Sequence, residues 1–224
     1  MTNNKLPKTD PAKVQRFDAA AGAWDQDAGR VRMAETIARA VLARVPMRPG
    51  IHALDYGCGT GLITLQLAPH ADFVLGADIS DGMLSALRQK ALAAGLKNVE
   101  VAHLDLEHDP PLERRFDLIV SSMTMHHVKD VRGVIRKLAA MLRPEGWLCI
   151  ADLETEPGDF HSDKTGVEHF GFEPSEVVRM FEEAGLQRVT VENVFTIHKE
   201  VAGTQREFRL FLACGCRASN HYLQ

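Results

Sequence analysis

Short apolar runs alternate with helical patterns through the middle of the chain, and this alternation constrains the fold more than any other feature. The five runs of strand length are Ile51–Asp55, Phe73–Asp78, Val99–Leu104, Phe116–Ser121 and Trp147–Asp152. Stretches with apolar residues at helical spacing lie between them, at Leu62–Ala68, Gly82–Ala94 and Val131–Leu142. Strands that alternate with helices form a parallel sheet with right-handed crossovers and helices on both faces. The sequence therefore predicts an α/β, Rossmann-like, doubly wound fold that binds ligands at the carboxyl ends of its strands.

The segments on either side of this core follow the same rules. Apolar residues step by three and four from Val31 to Val45, which predicts a helix that Pro46 ends. Residues 153–173 have no clear period, and such a stretch inside a domain is either a functional lid or disordered. A helix that Pro174 opens and Gly185 stops, then strands Arg188–Ile197 and Arg206–Cys214, complete the chain. We expect one domain over residues 1–224, with 1–46 as an N-terminal helical cap and 153–173 as a lid on the substrate side.

Composition and charge exclude several classes of protein. Of the 224 residues, 25% are charged and 45% are hydrophobic, so the chain can bury a core and is neither a coiled coil nor disordered. Lys and Arg total 26 against 30 Asp and Glu, and the net charge of −4 argues against nucleic acid as a partner. No apolar run reaches the roughly 18 residues of a membrane span, and the N-terminus lacks the apolar core of a secretion signal. We therefore expect a cytoplasmic protein, of open oligomeric state.

The cysteines indicate no disulfide framework. Cys58, Cys149, Cys214 and Cys216 are too few and too scattered for one in a chain of this length. Because alternate residues of a strand share a face, we interpret Cys214 and Cys216 as two side chains on one face of a late strand. A metal or redox role for this pair is the alternative.

The strongest local signal is a strand that runs directly into three alternating glycines, Asp55-Tyr56-Gly57-Cys58-Gly59-Thr60-Gly61. Glycine allows a sharp turn and a close approach of a ligand to the main chain, and the helix that follows offers free N–H groups. Alone, the pattern also fits a simple tight turn. However, the second strand ends in Asp78, where a carboxylate can bind both hydroxyls of a ribose. The third strand is followed by Asp105, near which the amine of an adenine would lie.

The spacing Gly-x-Gly-x-Gly differs from the Gly-x-Gly-x-x-Gly that binds a pyrophosphate. Asp55 would repel a diphosphate but attract an ammonium group. The residues therefore predict a nucleoside with a cationic tail. A nicotinamide-dependent oxidoreductase on a similar sheet is the alternative enzyme, and a non-catalytic regulatory module that keeps the cofactor site is the alternative outside catalysis.

Further motifs resemble the class I S-adenosylmethionine-dependent methyltransferases, of the small-molecule type that includes the ubiquinone and menaquinone biosynthesis methyltransferases. From residue 17 onward they are Phe17-Asp18, Trp24-Asp25, Asp78-Ile79-Ser80, Met83-Leu84, Asp105-Leu106, Phe116-Asp117-Leu118-Ile119, His126-His127-Val128 and Leu142-Arg143-Pro144-Glu145-Gly146-Trp147. The resemblance implies a seven-stranded sheet with Arg206–Cys214 inserted antiparallel. It also implies an enzyme that binds S-adenosylmethionine across the tips of the first four strands and methylates a small molecule.

The same resemblance implies which residues contact the cofactor. Gly57, Cys58 and Gly59 would lie against its methionine part, and Asp55 would reach its ammonium group through water. Asp78 would bind the ribose hydroxyls. The remaining implied contacts are Ile79 and Met83 on the adenine, Asp105 and Leu106 at its amine edge and ring, a backbone carbonyl of Ser121 for the ammonium, and a covering segment with Trp24 and Arg30. Ordinary packing is the alternative for Trp24.

Methyl transfer from a sulfonium mainly needs alignment, because the leaving group is already activated. Where the acceptor is a hydroxyl or a protonated amine, a base helps, and histidine is the commonest one. We predict His126, which follows the fourth strand, as that base and His127 as a substrate contact. His161, His169 and Phe170 are predicted to contact the substrate from the lid. The alternatives are ordinary packing of the histidine pair and a solvated loop.

We predict no metal site. His161, Glu168 and His169 are ligand types that suit zinc or iron, but their spacing matches no common pattern. The resemblance adds that metal-dependent catechol methyltransferases place an acid just past the fourth strand, where this chain has Ser121-Ser122. The Asn/Asp-Pro-Pro-aromatic element of the DNA amine methyltransferases is also missing there. The sequence leaves open which molecule, and which of its atoms, is methylated.

Overall fold

A seven-stranded sheet forms the centre of the molecule. The computed structural model describes residues 9–219, and the strands lie in the order β3-β2-β1-β4-β5-β7-β6. Their bounds are β1 His52–Tyr56, β2 Phe73–Asp78, β3 Val99–His103, β4 Phe116–Ser122, β5 Leu142–Leu153, β6 Leu186–Val201 and β7 Thr204–Arg217. β1 to β5 pair in parallel, whereas β7 runs antiparallel to both of its neighbours. The predicted fold class is confirmed, including the antiparallel insertion near the C-terminus.

Helices cover both faces of the sheet. Their bounds are α1 Pro11–Ala20, α2 Ala28–Arg44, α3 Thr64–Leu67, α4 Asp81–Ala93, α5 Val131–Ala140 and α6 Pro174–Glu183. Short 3-10 turns lie at Ala21–Gln26, Ala68–His70 and Met125–His127. Side chains that favour helix N-termini cap four of the helices: Asp10 at α1, Asp27 at α2, Ser80 at α4 and Asp130 at α5 each accept a backbone N–H of the first turn.

Alternate residues of β4 point to opposite faces of the sheet and join two apolar cores. Ile119 packs on the face that α5 and α6 cover, where Leu138 and Phe181 are buried. Leu118 packs on the other face, together with Ile37 of α2. Because the middle of the strand is buried on both sides, residues 118–120 are all apolar, whereas polar residues stand near its two ends.

The last two strands form a hairpin that is longer than predicted. β6 continues to Val201 rather than Ile197, and β7 begins at Thr204 rather than Arg206. The two residues of the turn, Ala202 and Gly203, both have positive φ (49° and 79°), which matches the twist of a two-residue hairpin. The extension carries polar side chains, so its strand pattern is weak in the sequence.

The segments before and after the core lie close to the carboxyl ends of the parallel strands. α1 and α2 form the N-terminal segment, and residues 1–8 of the proposed cap lie outside the described residues. Residues 154–173, all of them described, contain no α-helix, and a bridge between Glu154 and Phe172 joins the two ends of this segment. In the described range 9–219, no helix has both the length and the apolar character needed to cross a membrane.

Candidate active site

The glycine turn after β1 brings two strand ends and a loop close together. The N–H groups of Gly57 and Cys58 both donate to the carbonyl of Ala77 at the end of β2 (2.7 and 3.0 Å). Gly57 has φ of 73°, and a Cβ on it would lie 2.1 Å from Oγ1 of Thr124 in the loop after β4. A side chain at this position would therefore force the loop away from the turn. At Gly59, in contrast, a Cβ would meet nothing within 4 Å, so this glycine faces open space.

One cavity of about 850 Å³ lies along the ends of the strands, and Asp55, Asp78 and Asp105 all line it. Asp55 is buried and accepts a hydrogen bond from Oγ1 of Thr64 (2.6 Å), and burial raises its pKa to about 7. We use the name glycine wall for Asp55, Gly57, Cys58, Gly59 and Asp78. This wall holds carboxyl groups whose ionised form burial destabilises.

Asp78 links the glycine turn to the start of α4. Its Oδ2 accepts from the N–H of Gly59 (2.8 Å) and its Oδ1 accepts from the N–H of Ser80 (3.0 Å). Burial raises its pKa above the usual range, although these backbone bonds act in the opposite direction. A carboxylate oxygen accepts up to two hydrogen bonds. Each oxygen of Asp78 can therefore accept a further donor from the cavity.

Asp105 is more fully satisfied than the other two acids. Burial alone would raise its pKa, but hydrogen bonds from Thr9, from His108 and from the N–H of Glu107 outweigh burial and lower it. The His108 Nδ1 atom lies 2.6 Å from its Oδ2, and the Thr9 hydroxyl donates to the same oxygen. A ligand that meets Asp105 therefore shares this carboxylate with residues of the chain itself.

The N-terminal segment contacts the glycine turn through two acids. Asp18 of α1 accepts from Oγ of Ser80 (2.6 Å), and this bond lowers its pKa. Asp25 accepts from Oγ1 of Thr60 (2.5 Å) and pairs with Lys90 of α4 (2.5 Å). Asp18 and Asp25, the second residues of the motifs Phe17-Asp18 and Trp24-Asp25, thus tie the N-terminal segment to the glycine turn and to α4.

Two residues of the N-terminal segment that the resemblance places over the cofactor line the cavity. Trp24 and Arg30 both contribute to its wall, and the Arg30 guanidinium lies 4.0 Å from the centroid of the Trp24 ring. Arg30 also pairs with Asp27 (3.6 Å). The predicted contacts Ile79 and Met83 line the same part of the cavity.

A buried histidine that follows β4 lines the cavity and pairs with a buried aspartate of β5. His126 lines the cavity with 1% of its surface exposed, and its Nδ1 lies 2.7 Å from Oδ1 of the fully buried Asp152 at the end of β5. Burial by itself raises the pKa of Asp152, but the contact with His126 and the N–H bonds from Leu153 and His126 lower it overall. Because an ionised carboxylate only accepts hydrogen bonds, the proton of His126 belongs on Nδ1. Among the described residues, none offers a hydrogen-bond partner to its Nε2.

Two further histidines pack against His126. The ring centroids of His127 and His161 lie 4.1 and 4.9 Å from that of His126. His127 donates through Nδ1 to the carbonyl of Gly166 (2.7 Å). Burial and the neighbouring His126 lower the pKa of His127 to about 3 and that of His161 to about 4. We call His126, His127 and His161 the histidine wall; at neutral pH its second and third members are uncharged.

The structure brings most of the predicted residues to the cavity but places four of them elsewhere. Leu106 is buried, and Ser121 donates its hydroxyl to the carbonyl of Tyr56 (2.7 Å). Neither residue lines the cavity, whereas their neighbours Asp105 and Ser122 do. His169 donates through Nε2 to the carbonyl of Val128 (2.9 Å) and does not itself line the cavity. Phe170 is 43% exposed and also lies outside the cavity lining.

Sequence reasoning missed the parts of the cavity that distant segments supply. These are Lys13 and Arg16 of α1 and residues 195–199 of β6. No motif marks them, because their position depends on how α1 and the hairpin fold back over the sheet. In the described chain, no group of three or more His, Cys, Asp and Glu side chains is arranged to hold a metal ion.

Known proteins are similar to this chain in sequence over its central part. A family model described as a methyltransferase domain matches residues 53–146, from β1 into the start of β5. An uncharacterized methyltransferase of Schizosaccharomyces pombe is 34% identical over 159 residues, which cover 64% of this chain and 56% of that protein. A ubiquinone biosynthesis O-methyltransferase of Coxiella burnetii is 30% identical over 142 residues, which cover 62% of this chain and 60% of that protein. The alignments thus span less than two thirds of these relatives.

The fold also recurs among solved structures. The crystal structure of a SAM-dependent methyltransferase from Aquifex aeolicus superposes with a TM-score of 0.62 at 23% sequence identity. The superposition covers 93% of this chain and 99% of that chain. At this level of identity the similarity shows a shared fold.

Proposed function

We propose that this chain, which belongs to the class I S-adenosylmethionine-dependent methyltransferases, transfers the methyl group of that cofactor to a small-molecule acceptor. The observation that carries the proposal is the single cavity that joins the glycine wall to the histidine wall. A cofactor on the first wall and an acceptor on the second would meet inside one cavity. Such alignment is the main requirement of an in-line transfer, and it contributes up to about 7–11 kcal/mol to lowering a barrier.

The charges of the glycine wall support binding of this cofactor. Asp55 is a buried carboxyl group with one hydroxyl partner, and a nearby ammonium group would favour its ionised form. Asp78 has accepting capacity left on both oxygens, which suits the two hydroxyls of a ribose. The open side of Gly59 leaves room for the methionine part of the cofactor. Asp105 would share its carboxylate between Thr9 and the adenine amine.

The histidine wall supports proton removal from the acceptor. When bound, the cofactor supplies an electrophilic methyl group on a sulfonium. Asp152 holds the proton of His126 on Nδ1, so that Nε2, which is buried and has no partner among the described residues, keeps a lone pair for the proton of a hydroxyl or amine as it attacks. The imidazolium that forms stays paired with the Asp152 carboxylate until the proton leaves. In this mechanism His126 is therefore the general base, and Asp152 is a residue that positions it.

Two measurements test the proposal. Calorimetry should detect binding of S-adenosylhomocysteine and no binding of NAD, which separates the methyltransferase from a nicotinamide-dependent oxidoreductase. Transfer of a labelled methyl group to a compound from a small-molecule library should then separate an enzyme from a regulatory module that only binds the cofactor. A chain that binds NAD instead of S-adenosylhomocysteine would exclude the proposed reaction.

A further inference from the structure

A buried ammonium group without a counter-ion stands out next to the histidine wall. Lys13 of α1 is 9% exposed and lines the cavity, and its Nζ donates to the carbonyl of His127 (2.6 Å). None of the acidic side chains between residues 9 and 219 forms an ion pair with it. Lysine is rarely buried to this extent without an acid, because desolvating an unpaired charge is costly. One carbonyl oxygen also uses only one of the three ammonium N–H donors.

Two more cations line this part of the cavity. Arg16 donates to the carbonyl of Thr165 (2.6 Å), and Lys199 of β6 donates to the carbonyl of Phe160 (2.7 Å). The described acids supply one ion pair to these cations, Asp163 with Arg16 (3.4 Å). Because His127 and His161 are neutral, this side of the cavity carries three positive charges, Lys13, Arg16 and Lys199, against two negative ones, Asp163 and the buried Asp152 behind His126.

We infer that the methyl acceptor carries an anionic group, a carboxylate or a phosphate, which pairs with Lys13. The inference rests on the proposed function and adds the chemical class of its acceptor. Such a group would supply the missing counter-ion, whereas an ammonium-bearing acceptor would be repelled by the same three cations. Lys13 contacts the residue next to His126, and adjacent Cα atoms lie only about 3.8 Å apart. The anionic group and the atom that is methylated are therefore close together in one small molecule.

The first test compares three probes of the same size on the protein saturated with S-adenosylhomocysteine. Benzoate and phenyl phosphate carry the anion, and benzamide is the neutral match for benzoate. Calorimetry should give at least tenfold tighter binding for one of the anions than for benzamide. The stronger of the two anions identifies the group as a carboxylate or a phosphate. Equal affinity of benzamide and both anions, or no binding of any probe, overturns the inference.

The second test removes the charge. Lys13→Met should reduce the preference for the anion to less than threefold, Lys13→Arg should keep it, and Lys97→Met, at an exposed lysine outside the cavity lining, should leave it unchanged. An unpaired buried charge also lowers the stability of the empty protein, so Lys13→Met should raise the Tm of the ligand-free chain by about 2–4 °C. If Lys13 served only to tie α1 to the His127 carbonyl, the same variant would lower the Tm and leave the anion preference intact, which overturns the inference.

The two proposals fail in different ways. A wild-type chain that does not bind S-adenosylhomocysteine contradicts the proposed function before any probe is added. A chain that binds S-adenosylhomocysteine and transfers methyl groups, but treats benzoate, phenyl phosphate and benzamide alike, contradicts only the anionic acceptor.

Discussion

The glycine wall and the histidine wall differ in how the chain builds them. Almost all of the glycine wall comes from one short stretch, residues 55–59, with Asp78 from the adjacent strand. The histidine side of the cavity combines α1, the turn after β4, the end of β5, residues 160–163 and the hairpin strand β6. A wall made from neighbouring strand ends is fixed by the sheet itself, whereas the histidine side of the cavity comes from five separate elements and depends on how each of them packs. The glycine wall therefore suits a cofactor that many enzymes share, and the histidine side suits an acceptor that differs from one enzyme to the next.

Burial acts on the two walls in opposite chemical directions. It raises the pKa of Asp55 and Asp78 and lowers the pKa of His127 and His161. In both cases the charged form is the one that is destabilised. Substitutions in the glycine wall should consequently change cofactor binding, and substitutions in the histidine wall should change catalysis. The two walls should also differ in how their contribution to stability changes with pH.

The largest effect is expected on the histidine wall. His126→Asn keeps an amide that can donate to Asp152 but removes the base, so kcat/KM should fall by about 10²–10⁴-fold. Affinity for S-adenosylhomocysteine should stay within about twofold, because His126 lies on the other wall. The assays are labelled-methyl transfer and calorimetry, with the exposed His70→Asn as the matched control. Wild-type turnover in His126→Asn would exclude His126 as the base.

The next effect concerns the glycine wall. Asp78→Ala removes a carboxylate that would form charge-assisted hydrogen bonds with the ribose, each worth about 1.5–3 kcal/mol, and should weaken S-adenosylhomocysteine binding by about 10–150-fold. Asp81→Ala, at an exposed acid three residues away in the first turn of α4, should leave the affinity unchanged. If the two variants bind equally well, Asp78 does not hold the ribose.

The pH dependence of cofactor binding should report Asp55. Because its pKa in the empty protein is about 7, its carboxylate becomes available to an ammonium group as the pH rises, and affinity for S-adenosylhomocysteine should increase by roughly tenfold from pH 6 to pH 8. Asp55→Asn should bind more weakly at pH 8 and show a flat profile over this range. In the empty wild-type chain, the contribution of Asp55 to the free energy of unfolding changes with pH in the opposite direction. The folded-state pKa lies above the unfolded value of 3.8, so stability falls as the pH rises from about 4 to about 7.

A further prediction concerns the acid sensitivity of the histidine wall. His127 has a folded-state pKa of about 3 against 6.5 unfolded, so its contribution is complete above pH 6.5 and is lost as the pH falls towards 3. Between pH 7 and pH 5 this loss amounts to about 2 kcal/mol of unfolding free energy. His127→Gln, which keeps an amide donor for the Gly166 carbonyl, should lose less stability over this interval in urea titrations. An equal loss in wild type, His127→Gln and the control His70→Gln would show that other groups cause it.

Much of the fold follows from local signals, and the particular elements show why. β2 begins and ends where the sequence predicts, at Phe73 and Asp78, because a strand buried on both faces needs a continuous apolar run. β5 begins at Leu142 rather than Trp147, because Leu142 already pairs with Phe116, and the pairing with β4 resumes at Trp147 after a stretch without an apolar run. Where pairing with a neighbour rather than burial defines a strand, the sequence carries a weaker signal.

The candidate site divides in the same way. The positions of Asp55, Asp78 and the glycines relative to each other are set by short strands and a tight turn, so the sequence by itself determines that they face one crevice. The partnership of His126 with Asp152 spans 26 positions and exists because β4 and β5 are neighbours in the sheet. The burial of Lys13 beside His127 spans 114 positions and depends on where α1 packs. Backbone periodicity and turn chemistry act over a few residues and are visible in a sequence, whereas contacts between distant segments depend on the packing of the whole chain, which only the tertiary structure decides.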